Sequence, residues 1–442
     1  MTGPKLTESV PTERIPLTDW STFTSFGESA EVYAPTSEAE ICAVVKSCAS
    51  QGKKLRVVGL RTSWNCLWYS SEVMMSTSRL RAIKEIDPVR RTVTCEAGVT
   101  LTELHKALWA KGLSLETGPG VDWVTVGGAV ATGSHGSGPA SMSSSLIGCR
   151  LVTASGDVVE IGENDERFDA VRLSMGMLGI LSEVTLKVSE AFYVKLTRTG
   201  IPVEEWKRCV DEGDMSMTLW FAHTGSSVLD RVDKLTKAQV EALKPGPLPA
   251  DEAPLMEKYV TPLNEFAQMR PSTFPARNRY VREVFFQDTE MIGPAYQVLM
   301  SFIAPGPIAG AEWSVPVSRF GAAKADMEKE MAAGLYLPAP VWLKQVKPET
   351  AWLSAADEHC MQCGIYHAVV PSTASPVREM VSRMERLMLR HGGRPHLGKL
   401  IYLSPAELKS AYPNWAKFEA LRRQMDPAGV FWTARMEERF GG

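Results

Sequence analysis

The chain has 442 residues, 44% of them apolar and 22% charged, with a formal net charge of −3 from 48 basic and 51 acidic side chains. That length exceeds one ordinary core, so two domains are expected. The near-balanced charge leaves no electrostatic footprint for nucleic acid, and there is no apolar run of about 18 residues to span a membrane.

The opening "MTGPKLTESVPTERIPLTDW" is polar and proline-containing and has no apolar signal core, so a cytoplasmic protein is expected. "SEAEICAVVKSCASQG" (37–52) has helical spacing, with Ser37 as N-cap and Glu40 as its capping-box partner. "KLRVVG" (54–59) and "TVTCEAG" (92–98) read as strands. "TLTELHKALWAKG" (100–112) reads as a helix capped by Thr100 and ended by Gly112. "RLVTASGDVVEI" (150–161) is a hairpin turning at Ser155-Gly156, and "GILSEVTLKVSE" (179–190) is a long strand. The first 190 residues thus form an α+β segment with mixed sheets.

Beyond residue 190, "LKPGPLPADEAP" (243–254) reads as a surface loop. "RNRYVREVFFQ" (277–287), "AEWSVPVSR" (311–319), "APVWLKQV" (339–346) and "CGIYHAVVP" (363–371) read as strands. Residues 317–334 and 376–393 read as amphipathic helices, and 404–425 as one more. A large sheet backed by helices is expected. Of eight cysteines, Cys42, Cys48, Cys66, Cys95, Cys149 and Cys209 read as buried small hydrophobes. Cys360 and Cys363 form a C-x-x-C beside His359 and His367. Without four clear ligands or a βαβ context they read as a reduced structural pair, and no metal is expected.

"TGPGVDWVTVGGAVATGSHGSGPAS" (117–141) leaves the backbone bare at Gly127, Gly128, Gly133, Gly136 and Gly138, with donors on Ser134, His135 and Ser137. It reads either as a turn cluster at a sheet corner or as a cup of N–H groups for an anion. Neither G-x-x-x-x-G-K-[ST] nor a helix-opening G-x-G-x-x-G occurs. A diphosphate cofactor held by loops rather than by a helix N-terminus is what remains.

"VTVGGAVATGSHGSG" (124–138), "LVTASGD" (151–157) and "MGMLGILSEVTL" (175–186) together resemble the flavin domain of the vanillyl-alcohol-oxidase superfamily. "LWFAHT" (219–224), "HGGRPHLGK" (391–399) and "YPNWAKFEALRRQMDPAGVF" (412–431) are similar to its sugar-lactone and alditol oxidase branch. The resemblance covers most of 35–190 and 385–440. It implies a two-domain PCMH-type FAD-binding fold: residues 1–190 for FAD, a cap over 191–405 on a large antiparallel sheet flanked by helices, and 406–442 returning to the FAD domain. By the same resemblance Val58, Gly59, Leu60, Arg61, Thr62 and Ser63 hold the cofactor with Val126, Gly127, Gly128, Ala131, Thr132, Gly133, Ser134, His135 and Gly136. Gly179 and Ile180 fall at the dinucleotide.

Many members of the superfamily carry a flavin-linked histidine at the position of Thr62. Threonine has no ring nitrogen for that bond, so FAD is expected to be non-covalent. "GPGVDWVTVGGA" (118–129) is also similar to the decaprenylphosphoryl-ribose oxidase family, which places Pro119 and Gly120 beside the flavin's reactive edge. Where the sugar-lactone branch has a Glu-x-Arg pair facing the flavin, this chain has Trp342 and Lys344, two apart and so on one strand face. The family pattern assigns Lys399 to stabilise reduced flavin or bind a substrate oxygen. His396 and His367 are candidate catalytic groups that also read as packing residues.

The implied function is oxidation of a CH–OH group on a small sugar-lactone-like or hydroxylated ring substrate by hydride transfer to FAD, with oxygen as acceptor. The alternatives are a dehydrogenase using a quinone or cytochrome, or a flavin-binding protein whose active site has decayed. A monomer or homodimer is expected.

Overall fold

The computed structural model describes residues 7, 9–136, 140–213, 215–248, 253–299, 307–369 and 374–441. Ser137 and Gly138, two of the expected cup residues, lie outside these, as does part of the 243–254 loop.

Strand Thr12–Thr18 turns back antiparallel on Ser25–Tyr33, a hairpin the sequence reading did not identify. The buried Asp19 carboxylate makes the turn by accepting from the amides of Ser21, Phe23 and Thr24 at 2.9, 3.2 and 2.7 Å. Leu55–Val58 and Val73–Ser76 extend this sheet in parallel. Helix Glu38–Ser50 packs Ile41, Val44, Val45 and Cys48 against it, the i, i+3, i+4, i+7 stripe of an amphipathic helix. Each such aliphatic side chain contributes roughly 1.5–3 kcal/mol. Ser37 caps this helix as expected, but the Glu40 carboxylate bonds the Thr36 amide at 2.6 Å, not that of Ser37. Helix Leu101–Trp109 has the full box between Thr100 and Glu103 and is followed by Gly112 at φ +72°.

Next in the chain is a five-stranded antiparallel sheet ordered Ile83–Asp87, Thr92–Glu96, Ile180–Lys187, Leu146–Val152, Val158–Gly162. Its core also takes Trp415, Phe418, Met436 and Phe440 from the far end of the chain. The C-terminal segment likewise edges the first sheet: the Leu55 amide donates to Val430 O at 2.8 Å.

The eight-stranded antiparallel sheet runs Thr289–Pro294, Tyr193–Pro202, Ser226–Leu235, Met217–Phe221, Val341–Val346, Cys360–Ala368, Ile308–Pro316, Arg394–Pro395. Its register pairs Arg198 with Asp230, Asp230 with Met217 and Met217 with Lys344. Trp342 pairs with Gly364, and Gly364 with Glu312, so all these side chains share one face. Helices Val317–Ala332 and Ala374–Arg390 cover the other face, packing Phe320, Met327, Val381 and Met384 on Trp313, Cys363 and Ile365. The α+β architecture with a helix-flanked antiparallel sheet is therefore as expected.

Beyond residue 190, two expected elements differ. Residues 277–287, expected as a strand, fall mostly in helix Phe274–Phe285, which buries Phe274, Arg277, Asn278 and Val281. That spacing is helical, but two of the four are polar and mask the period. Residues 404–425 form two helices, Pro405–Ala411 and Trp415–Met425, because Pro413 has no amide to continue the first. Cys360 and Cys363 are free and buried, and burial pushes the Cys360 thiol up to about 12, far from the thiolate a metal binds. No helix among the described residues is long and apolar enough to cross a membrane.

Candidate active site

Past Val58 the chain leaves its strand into a cleft between the first sheet and the glycine-rich segment. Among the described residues, the amides of Leu60, Arg61, Thr62 and Ser63 have no acceptor, and neither do those of His135 and Gly136. Successive free amides around a left-handed residue form an anion-binding concavity. Arg61 supplies the left-handed turn at φ +57°, a conformation costing a non-glycine residue about 1–2 kcal/mol. It is held there by Nε donating to Thr18 O at 3.3 Å and by its carbonyl accepting from Trp20 N at 3.2 Å. Deeper in the cleft lies Arg56, whose Nη1 donates to Met175 O at 2.7 Å. Its Nε has no partner, and burial lowers its pKa to about 10. Free amides at one station and, at another, a guanidinium with no carboxylate partner among the described residues fit an elongated, anionic dinucleotide such as FAD.

The glycines act differently from expectation. A Cβ on Gly59 would lie 2.4 Å from Thr125 Oγ1, and one on Gly136 would lie 2.1 Å from Gly118 O. Their bareness brings the two lips of the cleft together; the ligand's approach comes from the amides beside them. The second lip also contains a one-turn helix, Val126–Ala131, capped by Thr125, where loop alone was expected.

A second cavity adjoins the cleft over the eight-stranded sheet. Thr62, Pro119, Val121, His135, Glu312 and Lys399 line both. Glu312, carried on the fully buried strand Ile308–Pro316, is the hub of this junction. Its Oε1 lies 3.2 Å from Lys399 Nζ, its Oε2 lies 3.2 Å from His135 Nε2, and the Tyr366 hydroxyl donates to Oε1. Burial alone would raise the Glu312 pKa, but Lys399 and His135 hold it well below the usual value. Burial and the adjoining carboxylate push the Tyr366 phenol well above its own. Tyr366 reaches across because Gly364 is bare: a Cβ there would lie 3.0 Å from the phenol oxygen. Ligand atoms of His135, Glu312 and His396 come within 4.8 Å of one another, a spacing compatible with a metal. The Lys399 ammonium already supplies a cation to that carboxylate.

His396 sits in the turn that presents Lys399. Its Nδ1 accepts from Gly398 N at 2.9 Å, which assigns the proton to Nε2, 3.3 Å from Gly133 O. Burial lowers its pKa to about 3, so the ring is neutral and both nitrogens are engaged. His367 lines neither cavity. It is buried beside Phe274, with Nδ1 2.9 Å from Gln268 Nε2.

Trp342 and Lys344 do line the second cavity. Trp20, Trp64 and Trp123 form its aromatic side, Leu196, Met291 and Ile308 add aliphatic surface, and Arg198 bonds Asp230 through two 2.7 Å contacts. Of the expected cofactor residues, Val58 to Ser63, Pro119, Gly127, Gly128, Ala131, Thr132, Ser134, His135, Gly179 and Lys399 line the cleft. Gly120 and Gly136 line the second cavity, and Gly133 a smaller one beside His396. Val126 and Ile180 line none of these three and are core residues. Sequence reasoning missed Glu312, Tyr366, Arg56 and the Arg198–Asp230 pair. A lone glutamate inside an apolar strand was the available signal for the first.

Comparisons with known proteins agree with this geometry. A family model described as D-arabinono-1,4-lactone oxidase matches residues 184–439, and one described as FAD binding domain matches 29–162. The chain is 27% identical to an L-gulono-1,4-lactone dehydrogenase of Mycobacterium tuberculosis, covering 90% of this chain and 93% of that protein. It is 25% identical to the L-gulonolactone oxidase of Mus musculus, covering 94% and 96%. An alditol oxidase of a Streptomyces species is 27% identical over 84% and 86%. In fold it is similar to a crystal structure of cholesterol oxidase from B. sterolicum, with TM-score 0.80, 16% identity and coverage of 100% and 99%.

Proposed function

Because the chain belongs to the D-arabinono-1,4-lactone oxidase family and is an FAD-dependent oxidoreductase of CH–OH donors, we propose that it oxidises a small hydroxylated ring or lactone-like substrate in the second cavity. We also propose that its FAD is non-covalent, that oxygen is the acceptor, and that 1–190 with 406–442 grip the cofactor while 191–405 cap it. The observation that carries the reading is the junction, where one charged cluster faces both the dinucleotide cleft and a walled chamber.

When bound, FAD supplies the acceptor for a hydride. The protein's part is to orient, bind and exclude water. Trp342, Trp64 and Tyr366 wall the substrate ring, and holding it in place is worth several kcal/mol of barrier. Lys399 offers a fixed cation to a substrate oxygen or to charge developing on the ring it faces. Glu312 is a positioning residue that aims Lys399, His135 and Tyr366. His396 is another, since its two hydrogen bonds shape the turn that carries Lys399. His367, away from both cavities, supports the sheet. The Glu312–Lys399 pair also speaks against a decayed site.

Anaerobic mixing of the flavoprotein with a panel of lactones and hydroxylated ring compounds tests the reading. At least one should bleach the flavin; bleaching by none would refute it. Oxygen consumption during turnover separates an oxidase from a dehydrogenase that needs a quinone or cytochrome.

A further inference from the structure

The charged groups of the second cavity do not balance. Among the described residues, three basic side chains, Arg198, Lys344 and Lys399, face two carboxylates, Asp230 and Glu312. Asp230 is taken up by Arg198 through two hydrogen bonds, and Glu312 by Lys399, His135 and Tyr366. Lys344 is left over. Its residue exposure is 8%, its ammonium has no hydrogen bond or ion pair among the described residues, and that ammonium lies 5.3 Å from the centre of the Trp342 ring. A buried charge normally has a partner or loses its proton. Lys344 lines the substrate chamber but not the dinucleotide cleft, so the missing partner is not the cofactor's diphosphate.

We propose that Lys344 is the docking point for an anionic group, a carboxylate in the first instance, on a ring-bearing alcohol whose body lies against Trp342 and Trp64. This rests on reading the second cavity as the substrate chamber. It separates this protein from a site built for neutral polyols. The aromatic and aliphatic walls take the apolar body, and the unpaired ammonium takes the charge at one end. Burial lowers the Lys344 pKa to about 8, with Glu312 opposing that shift and Lys399 adding to it. Tyr366, His135, Arg198 and Asp230 complete the titratable groups around the chamber. The lysine is therefore charged below pH 8, able to pair with an anion, and neutral above it.

Benzoate and cyclohexanecarboxylate, with benzamide and cyclohexanecarboxamide as neutral counterparts, are titrated into oxidised holoenzyme. Perturbation of the flavin absorption and calorimetric heat are the readouts. The carboxylates should bind at least tenfold more tightly than the amides at pH 7, and the advantage should fade as the pH passes about 8. Lys344→Met should abolish it and Lys344→Arg should retain it, the bound flavin's spectrum confirming that each variant is folded. Equal binding of acids and amides, binding of neither, or an advantage that survives Lys344→Met would overturn the inference. If carboxylates dock but no alcohol bleaches the flavin, the anion site stands and the oxidative reading falls. If a neutral lactone bleaches it and carboxylates have no advantage, the reverse holds.

Discussion

Lys399 Nζ lies 3.2 Å from Glu312 Oε1 and 4.1 Å from the centre of the Trp64 ring, so an acid from a sheet strand and an indole from the cofactor lip fix one ammonium between two cavities. Removing one partner of a buried pair leaves the other uncompensated, a loss of about 3–5 kcal/mol. Glu312→Gln and Lys399→Met should each lower the melting temperature of the flavin-free protein, and the double variant should recover part of that loss. Additive losses would show that the pair is not coupled.

Lys399→Met should also slow flavin reduction by about a hundredfold or more, the scale of losing a preorganised charge at a reacting centre. Flavin content should stay near wild type. Stopped-flow reduction under anaerobic conditions measures this, and an unchanged rate removes Lys399 from the machinery.

Thr62 lies at the junction and has no ring nitrogen. Acid precipitation should therefore leave the yellow colour in the supernatant. A yellow pellet would show a covalent bond formed through some other residue.

Gly59→Ala should weaken FAD binding at least tenfold, because its new methyl would lie 2.4 Å from Thr125 Oγ1 and spread the lips of the cleft. Adding Thr125→Ala should restore part of the affinity, although it removes the cap of the short helix. Fluorescence titration of the flavin-free protein reads both. No recovery in the double variant would mean that Gly59 serves the ligand directly.

Glu385, fully buried, accepts from Tyr402 N at 2.8 Å, and burial raises its pKa from 4.5 to about 8. The folded state keeps a proton that the unfolded chain gives up, so this site's contribution is full below pH 4.5 and declines until about pH 8. Relative to wild type, Glu385→Gln should gain at least ~1.4 kcal/mol in denaturant-measured stability between pH 5 and 8. A constant difference across that range would place the carboxyl pKa near its ordinary value.

The two lips of the cleft were legible in the sequence because bare backbone and small hydroxyl residues leave few alternatives to a turn or a ligand cup. What each glycine does was not, since Gly59 answers to Thr125, a residue far along the chain. Trp342 and Lys344 were found together because strand periodicity puts them on one face whatever the exact register. Glu312 was passed over because its justification comes from His135, Tyr366 and Lys399, three residues on three other segments. The helix at Phe274–Phe285 was misread because Arg277 and Asn278 are buried as hydrogen-bonded polar groups, to Asn264 Oδ1 and to Ala222 O among others. Apolar periodicity does not register such positions.

The strand entering the cleft is edged by Val430, and Lys54 bonds the carbonyls of Ala428 and Gly429 at 2.9 and 2.7 Å. Trp64 N bonds Gly398 O at 3.1 Å, and Asn65 bonds Leu397 O. Both margins of a site that begins near residue 55 are thus finished by residues more than 330 positions further along the chain. The socket is therefore non-local: a fragment ending before residue 397 would lack both closures.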